Sequence, residues 1–454
     1  MTSSGPLIVI NHNHHLLRGS SKSKRNMART TDFSDLDVHS VLLIMKHLKS
    51  LEDQVNLARC SRKFSNAFVQ LHHGHFKEII DNEMKFKSLD EWRAFLWMCG
   101  ANVKHMQLYN DDDHPLQLLP LASKFCTNLE SITLHNVTVA KAQPFLLAIR
   151  TLKRVQIRNY KNTSKDLIKS MLRYLPYLNS LGLEYFDRKE LQELRHFKNL
   201  RELQLYDEVT ASDFVDIIKP MSDLRILQLR NAKKFLTTQT IKQLVAHCSQ
   251  LEKLSFFDSD ADLTNVAQFS NLKYLQVHCP EQYKTRLFKA LAKKNASHLE
   301  YLVLHKKRWI NEEQAQYIGT MQSLKILVCK PRDDRCMEHL ANLTQLECLS
   351  MQSSRDVGEM ALMAVLSANE KLRYLNICFC MSITDHFVMS ALTYLAKRIS
   401  HQPLELYAAA TDIRRDIMDR LTADHRSKQL CLYFECSNGL YCDGHYYNDE
   451  AEFA

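Results

Sequence analysis

The pattern L-x-x-L-x-L constrains this chain more than any other feature, because it returns twelve times in chain order. It reads "VKHMQL" from Val103, "LESITL" from Leu129, "LKRVQI" from Leu152, "LNSLGL" from Leu178, "LRELQL" from Leu200 and "LRILQL" from Leu224. It continues with "LEKLSF" from Leu251, "LKYLQV" from Leu272, "LEYLVL" from Leu299, "LKILVC" from Leu324, "LECLSM" from Leu346 and "LRYLNI" from Leu372. The last two apolar positions of each motif alternate as in a strand, so they point to one face and their neighbours to the other. Between motifs, "TTQTIKQLVAHCSQ" and "DVGEMALMAVLSANE" carry apolar residues at helical spacing. Each unit is therefore strand, turn and helix. None can bury its own apolar side, so neighbours must stack. Burying one Leu contributes roughly 1.5 to 3 kcal/mol, which makes the array the stable unit.

The intervals are irregular but resemble leucine-rich repeats, whose period is about 20 to 29 residues. That resemblance implies an α/β solenoid with a parallel concave sheet and convex helices. "LNICFCMSITD", from Leu375 to Asp385, is similar to the cysteine-containing subclass of such repeats, with Cys380 facing backbone at the turn and Thr384 or Asp385 capping the next helix. Cys378 and Cys380 lack nearby partners for a metal and read as structural filler. Asn136, Asn159 and Asn231 stand one place before the usual turn asparagine, which predicts an irregular turn ladder. "LELY" from Leu404 and "LCLYF" from Leu430 are weaker candidates to extend the series.

Residues 32–71 precede the repeats and read as three short amphipathic helices. Ser34 with Asp37, and Ser50 with Asp53, have capping spacing. The segment resembles an F-box: Leu36, Val41, Leu42, Ile44, Met45 and Leu48 fall on its aliphatic first line, Asp53 and Leu57 on the second helix, and Phe64 on the usual Trp. Asp37, His39 and Ser61 stand where the family places proline, an acid and a common cysteine. An F-box followed by leucine-rich repeats is similar to the substrate receptors of Skp-cullin-F-box ubiquitin ligases. The resemblance implies a chain without catalysis of its own. Leu36, Val41, Leu42, Ile44, Met45, Leu48, Leu57 and Phe64 would grip a Skp-family adaptor and, through it, cullin. The alternative is a repeat scaffold without ligase association.

Composition excludes several other classes. The 45% hydrophobic and 24% charged residues are ordinary for a globular chain. The 13 scattered cysteines form no secreted framework, and no apolar run reaches the ~18 residues of a spanning helix, so the expectation is a soluble cytoplasmic or nuclear protein without membrane contact. No phosphate loop, G-x-S-x-G or H-E-x-x-H motif is present, and 9 glycines are too few for backbone cradles, so neither catalysis nor a cofactor is expected. The net charge of +9 comes largely from an acid-free arm over 1–31, read as disordered, with a transit or nuclear signal around "KSKR" as the alternative. No basic run interleaves with stacking aromatics, so nucleic acid is not expected as a partner. The remaining boundaries are a helical linker or cap over 72–100, the solenoid over 101–436, and a tail over 437–454. The end of the chain, "CSNGLYCDGHYYNDEAEFA" from Cys436, reads as a capping or disordered end; zinc is the lesser alternative, because Cys436, Cys442 and His445 lack a visible fourth ligand.

Alternation also lists the concave face: glutamines between the inward residues, then aromatic and basic residues such as Tyr109, His135, Arg158, Tyr206 and Arg230, with Glu184 and Glu202 the main acids. The stripe around Arg230, Phe257, Tyr274, His278 and Tyr301 is the expected substrate site, suited to an acidic or phosphorylated protein segment.

Overall fold

A computed structural model describes residues 36–109, 114–158, 166–184, 186, 188–206, 209–257, 261–278, 283–304, 308–398, 402–422 and 428–435, and the backbone of 439–442 and 445–448. The basic arm, Ser34, Asn159, His305, Cys436 and most of the 437–454 tail lie outside these residues. The chain divides into two compact units, 1–71 and 72–454.

The first unit holds three helices, α1 (Val38–His47), α2 (Leu51–Ala58) and α3 (Arg62–Leu71). Asp37 is the N-cap of α1, its carboxylate accepting from Ser40 N at 2.9 Å and Ser40 Oγ at 2.8 Å. The aspartate that stands where an F-box has proline is thus a capping device, and the Ser40 backbone bond holds this carboxyl below its usual pKa. Ser50 caps α2 by accepting from Asp53 N at 3.0 Å. Gln54 Nε2 donates to the carbonyls of Met45 and Leu48, closing the end of α1. Lys63 Nζ donates to Leu36 O at 2.6 Å and ties α3 to the start of the unit. Val41, Met45, Val55, Ala58, Phe64, Ala67 and Phe68 form the buried interior.

The second unit is an α/β leucine-rich-repeat solenoid. Its described residues carry one fifteen-stranded sheet, every pair parallel and in chain order. The strands are β1 (Glu78–Ile80), β2 (His105–Tyr109), β3 (Ser131–His135), β4 (Arg154–Arg158), β5 (Ser180–Leu183), β6 (Glu202–Leu205), β7 (Ile226–Leu229) and β8 (Lys253–Phe257). They continue as β9 (Tyr274–His278), β10 (Tyr301–Leu304), β11 (Ile326–Val328), β12 (Cys348–Ser350), β13 (Tyr374–Asn376), β14 (Leu404–Tyr407) and β15 (Leu430–Tyr433). All twelve motifs supply strands. "LELY" and "LCLYF" extend the sheet as β14 and β15, and β1 precedes the first motif. Beyond it, β16 (Gly439–Cys442) pairs antiparallel with β17 (His445–Asn448).

The three inward positions of each motif are buried; Leu272, Leu275 and Val277 of the eighth have no exposed surface. Helices such as 238–247, through Ile241 and Leu244, close the other side of this core. Asn231 takes a left-handed φ of +51° and donates from Nδ2 to Tyr206 O at 2.9 Å, so this early asparagine still bonds the preceding repeat. Asn136 is left-handed as well. Buried thiols do related work: Cys380 Sγ donates to Met351 O at 3.3 Å, and Cys336 Sγ to Ile310 O at 3.4 Å. Burial pushes the Cys380 thiol up to about 11, so it stays protonated and able to donate. Thr384 caps the following helix by accepting from His386 N at 3.2 Å.

Candidate functional site

In the helical unit, the residues matched to the family's first line separate into two groups. Val41, Met45 and Phe64 are interior, where they hold the three helices together. Leu36, Leu42, Ile44, Leu48 and Leu57 are partly exposed. The largest exposed apolar side chains lie outside the matched set: Val38 at 47% and Leu43 at 46% on α1, and Val69 on α3. Helical periodicity misses Leu43 because it stands alone on the face opposite the buried stripe. Only its presence among Lys46, His39 and His47 could have drawn notice.

In the solenoid, the register aligns the concave face into rows that cross the strands. The row at the strand exits runs Tyr109, His135, Arg158 on β2 to β4, and Phe257, His278 on β8 and β9. Tyr206 and Arg230, just past β6 and β7, fall at the same level, Tyr206 N bonding Leu183 O and Arg230 N bonding Leu205 O. Rings and guanidiniums stack along this row. Tyr109 lies parallel to His135 at 4.1 Å, Arg230 sits 4.6 Å from the Tyr206 ring and 5.4 Å from Phe257, and Phe257 lies 4.4 Å from His278. A stacked guanidinium is held in plane while its N–H edge remains able to donate.

The row at the strand entries carries Tyr274 and Tyr301, adjacent in register with rings 6.0 Å apart. The five residues of the expected substrate stripe therefore form one patch across β7 to β10. Gln276 joins the two rows: Tyr274 Oη donates to its Oε1 at 3.0 Å, and its Nε2 lies 3.1 Å from His278 Nε2. Tyr274 itself is only 5% exposed, packed with Val303, Ile326, Val328, Cys348 and Tyr374 into an apolar layer on this face, with Tyr301 and Tyr407 against it. The face is thus divided. Polar and cationic groups dominate β2 to β9, and the apolar layer lies across β9 to β14, where Ser350, Asn376 and Glu405 interrupt it.

Among the acids, Glu202 is fully engaged. It meets Arg154 at 2.6 Å and accepts from Ser180 Oγ and Gln204 Nε2, both at 2.8 Å, while Gln204 in turn accepts from Tyr206 Oη at 3.0 Å. His135 is 8% exposed; burial, then the charge of Arg158, pushes its pKa down to about 4, so the ring is neutral at physiological pH.

The level just before the strands carries a feature the motif reading missed. Arg225, Glu252, Lys273, Glu300, Lys325, Glu347 and Arg373 follow one another across seven repeats, each N–H bonding the carbonyl of the one before. Their charges alternate, and Lys325 meets Glu300 at 2.8 Å and Arg373 meets Glu347 at 3.1 Å. Nearer the start of the sheet the alternation fails, and Lys77, Lys104 and Lys153 line a groove of about 560 Å³ with Glu130 among them.

Among the described residues no group of three or more His, Cys, Asp or Glu side chains is placed to hold a metal ion. No described helix is long and apolar enough to cross a membrane. No protein-family model matches the chain, and no curated protein matches it in sequence. A solved structure, the complex of Rad7 and Elc1 in yeast, is similar at 15% identity and a TM-score of 0.49, over 88% of this chain and 93% of that one. At that level of likeness it carries neither partner nor activity over to this chain.

Proposed function

We propose that this chain is the substrate-recognition subunit of a Skp-cullin-F-box ubiquitin ligase, recruiting a protein for ubiquitylation and degradation without making bonds itself. The reading rests on the F-box resemblance of 32–71 and on one structural observation above others: a small capped helical unit with exposed aliphatic side chains is followed by a sheet face bearing a cationic and aromatic patch. In this reading Leu36, Leu42, Ile44, Leu48 and Leu57 contact a Skp-family adaptor, with Leu43 as an added contact, and Val41, Met45 and Phe64 fix the helices that present them. The patch of Arg230, Phe257, His278 and Tyr301, positioned by Tyr274 through Gln276, holds an acidic or phosphorylated segment of the substrate. Tethering there raises the substrate's effective concentration near the conjugating enzyme.

The test is ubiquitylation in a ligase reconstituted with the intact chain, adaptor and cullin. A captured partner should be modified when the ligase carries the unaltered chain and not when it carries the Arg230→Glu, Tyr301→Ala variant, while both retain the adaptor. A partner modified equally with either chain places substrate capture elsewhere. A chain that captures partners yet retains no adaptor is the scaffold instead.

A further inference from the structure

Arg158 and Arg230 differ from the other cation paired on this face. Arg154 is neutralised by Glu202 at 2.6 Å, whereas neither Arg158 nor Arg230 makes an ion pair among the described residues, and the Nε of each is buried without a hydrogen-bond partner. His135, beside Arg158 in register and stacked on Tyr109, likewise has a buried Nε2 without a partner. A guanidinium with no acid paired to it keeps its outer N–H groups for an acceptor from outside the chain.

We propose that Arg158 and Arg230 are a two-point reader for a single extended segment carrying negative groups four residues apart. The inference deepens the proposed acidic-substrate reading and rests on it. The two arginines stand at the same level on β4 and just past β7, as the pairings Ile157 with Leu183, Leu183 with Leu205 and Leu205 with Leu229 require. Three strand spacings of about 4.8 Å separate them by roughly 14 Å. An extended peptide rises about 3.4 Å per residue and alternates its side chains, so residues i and i+4 span the same ~14 Å and face the same way. The segment lies across the strands. Carboxylate or phosphoryl oxygens at its two ends accept from the guanidiniums, the Arg230 plane being fixed between Tyr206 and Phe257. At the same level between them stand Glu184 and Tyr206, so the residue at i+2 is neutral or basic. His135 is uncharged near neutral pH and does not compete with Arg158 for the ligand.

The experiment is fluorescence anisotropy of the intact chain with synthetic peptides of one neutral sequence, carrying two glutamates or two phosphoserines spaced by three, four or five residues. Spacing of four should bind about tenfold more tightly than three or five, in either chemistry, because an odd spacing turns the second group away. Arg158→Gln and Arg230→Gln should each lose about tenfold and erase the spacing preference, with thermal unfolding unchanged. Equal binding at all spacings, or an unchanged preference in both variants, overturns the two-point reader and leaves the acidic-substrate reading standing. Failure of every acidic peptide to bind at millimolar concentration overturns that reading as well.

Discussion

At the residue scale, two side chains carry measurable consequences. His135 has a pKa near 4 in the folded chain and about 6.5 when unfolded, so between those values the unfolded state binds a proton that the folded state refuses. Its contribution therefore weakens as pH falls from about 6.5 and levels off near 4. Replacing it as His135→Gln should remove up to one proton of slope from denaturant stability measured across that window, and an unaltered slope would place the titration elsewhere. Ala410 takes a left-handed φ of +52° and is exposed. A Cβ costs roughly 1 kcal/mol there, so Ala410→Gly should raise the stability by a few tenths to about 1 kcal/mol, read as a higher denaturant midpoint at unchanged slope. A lower midpoint would show that the chain entropy added by glycine outweighs the relieved strain.

At the element scale, the repeats are joined by more than their leucines. Glu300 lies between Lys273 and Lys325 in the alternating row before the strands. Glu300→Lys should cost about 1 kcal/mol at low salt, Glu300→Gln less, and the difference should shrink in high salt because the Lys325–Glu300 pair is only partly buried and salt screens it. If the two variants melt alike in low salt, the row contributes nothing to register. The leucine motif made the strands and their inward side chains legible, because period two is written directly into L-x-x-L-x-L. The charge row was not legible that way, since its members are about 20 to 27 residues apart and meet only once register is known. Nor was β1, whose "EII" is too short to show a period. In the helices, spacing marked the apolar face of α1 but could not divide interior Val41 and Met45 from rim Leu42 and Leu48; that division depends on where α2 and α3 pack. The patch around Arg230 followed from alternation, whereas the significance of Arg158 required knowing that Glu202 already answers Arg154.

At the scale of the whole molecule, the chain divides into two compact units. A change in one should leave the other folded, and binding by one should survive loss of the other's ligand. Phe68→Ala should cost about 3 to 5 kcal/mol and unfold the helical unit, since that ring is fully buried in a small core, while the repeat unit keeps its own melting transition. A single shared transition would contradict this independence. Leu48 lies on the partly exposed rim of the helical unit, and an aspartate there would place an unpaired carboxylate at the proposed adaptor contact. The most direct measurement is titration calorimetry of a purified Skp-family adaptor into the intact chain and into its Leu48→Asp variant, with folding of both checked by thermal unfolding. Binding at micromolar concentration or tighter is expected for the unaltered chain and none for the folded variant; a folded, unaltered chain that gives no heat with the adaptor at that concentration would rule out the adaptor contact.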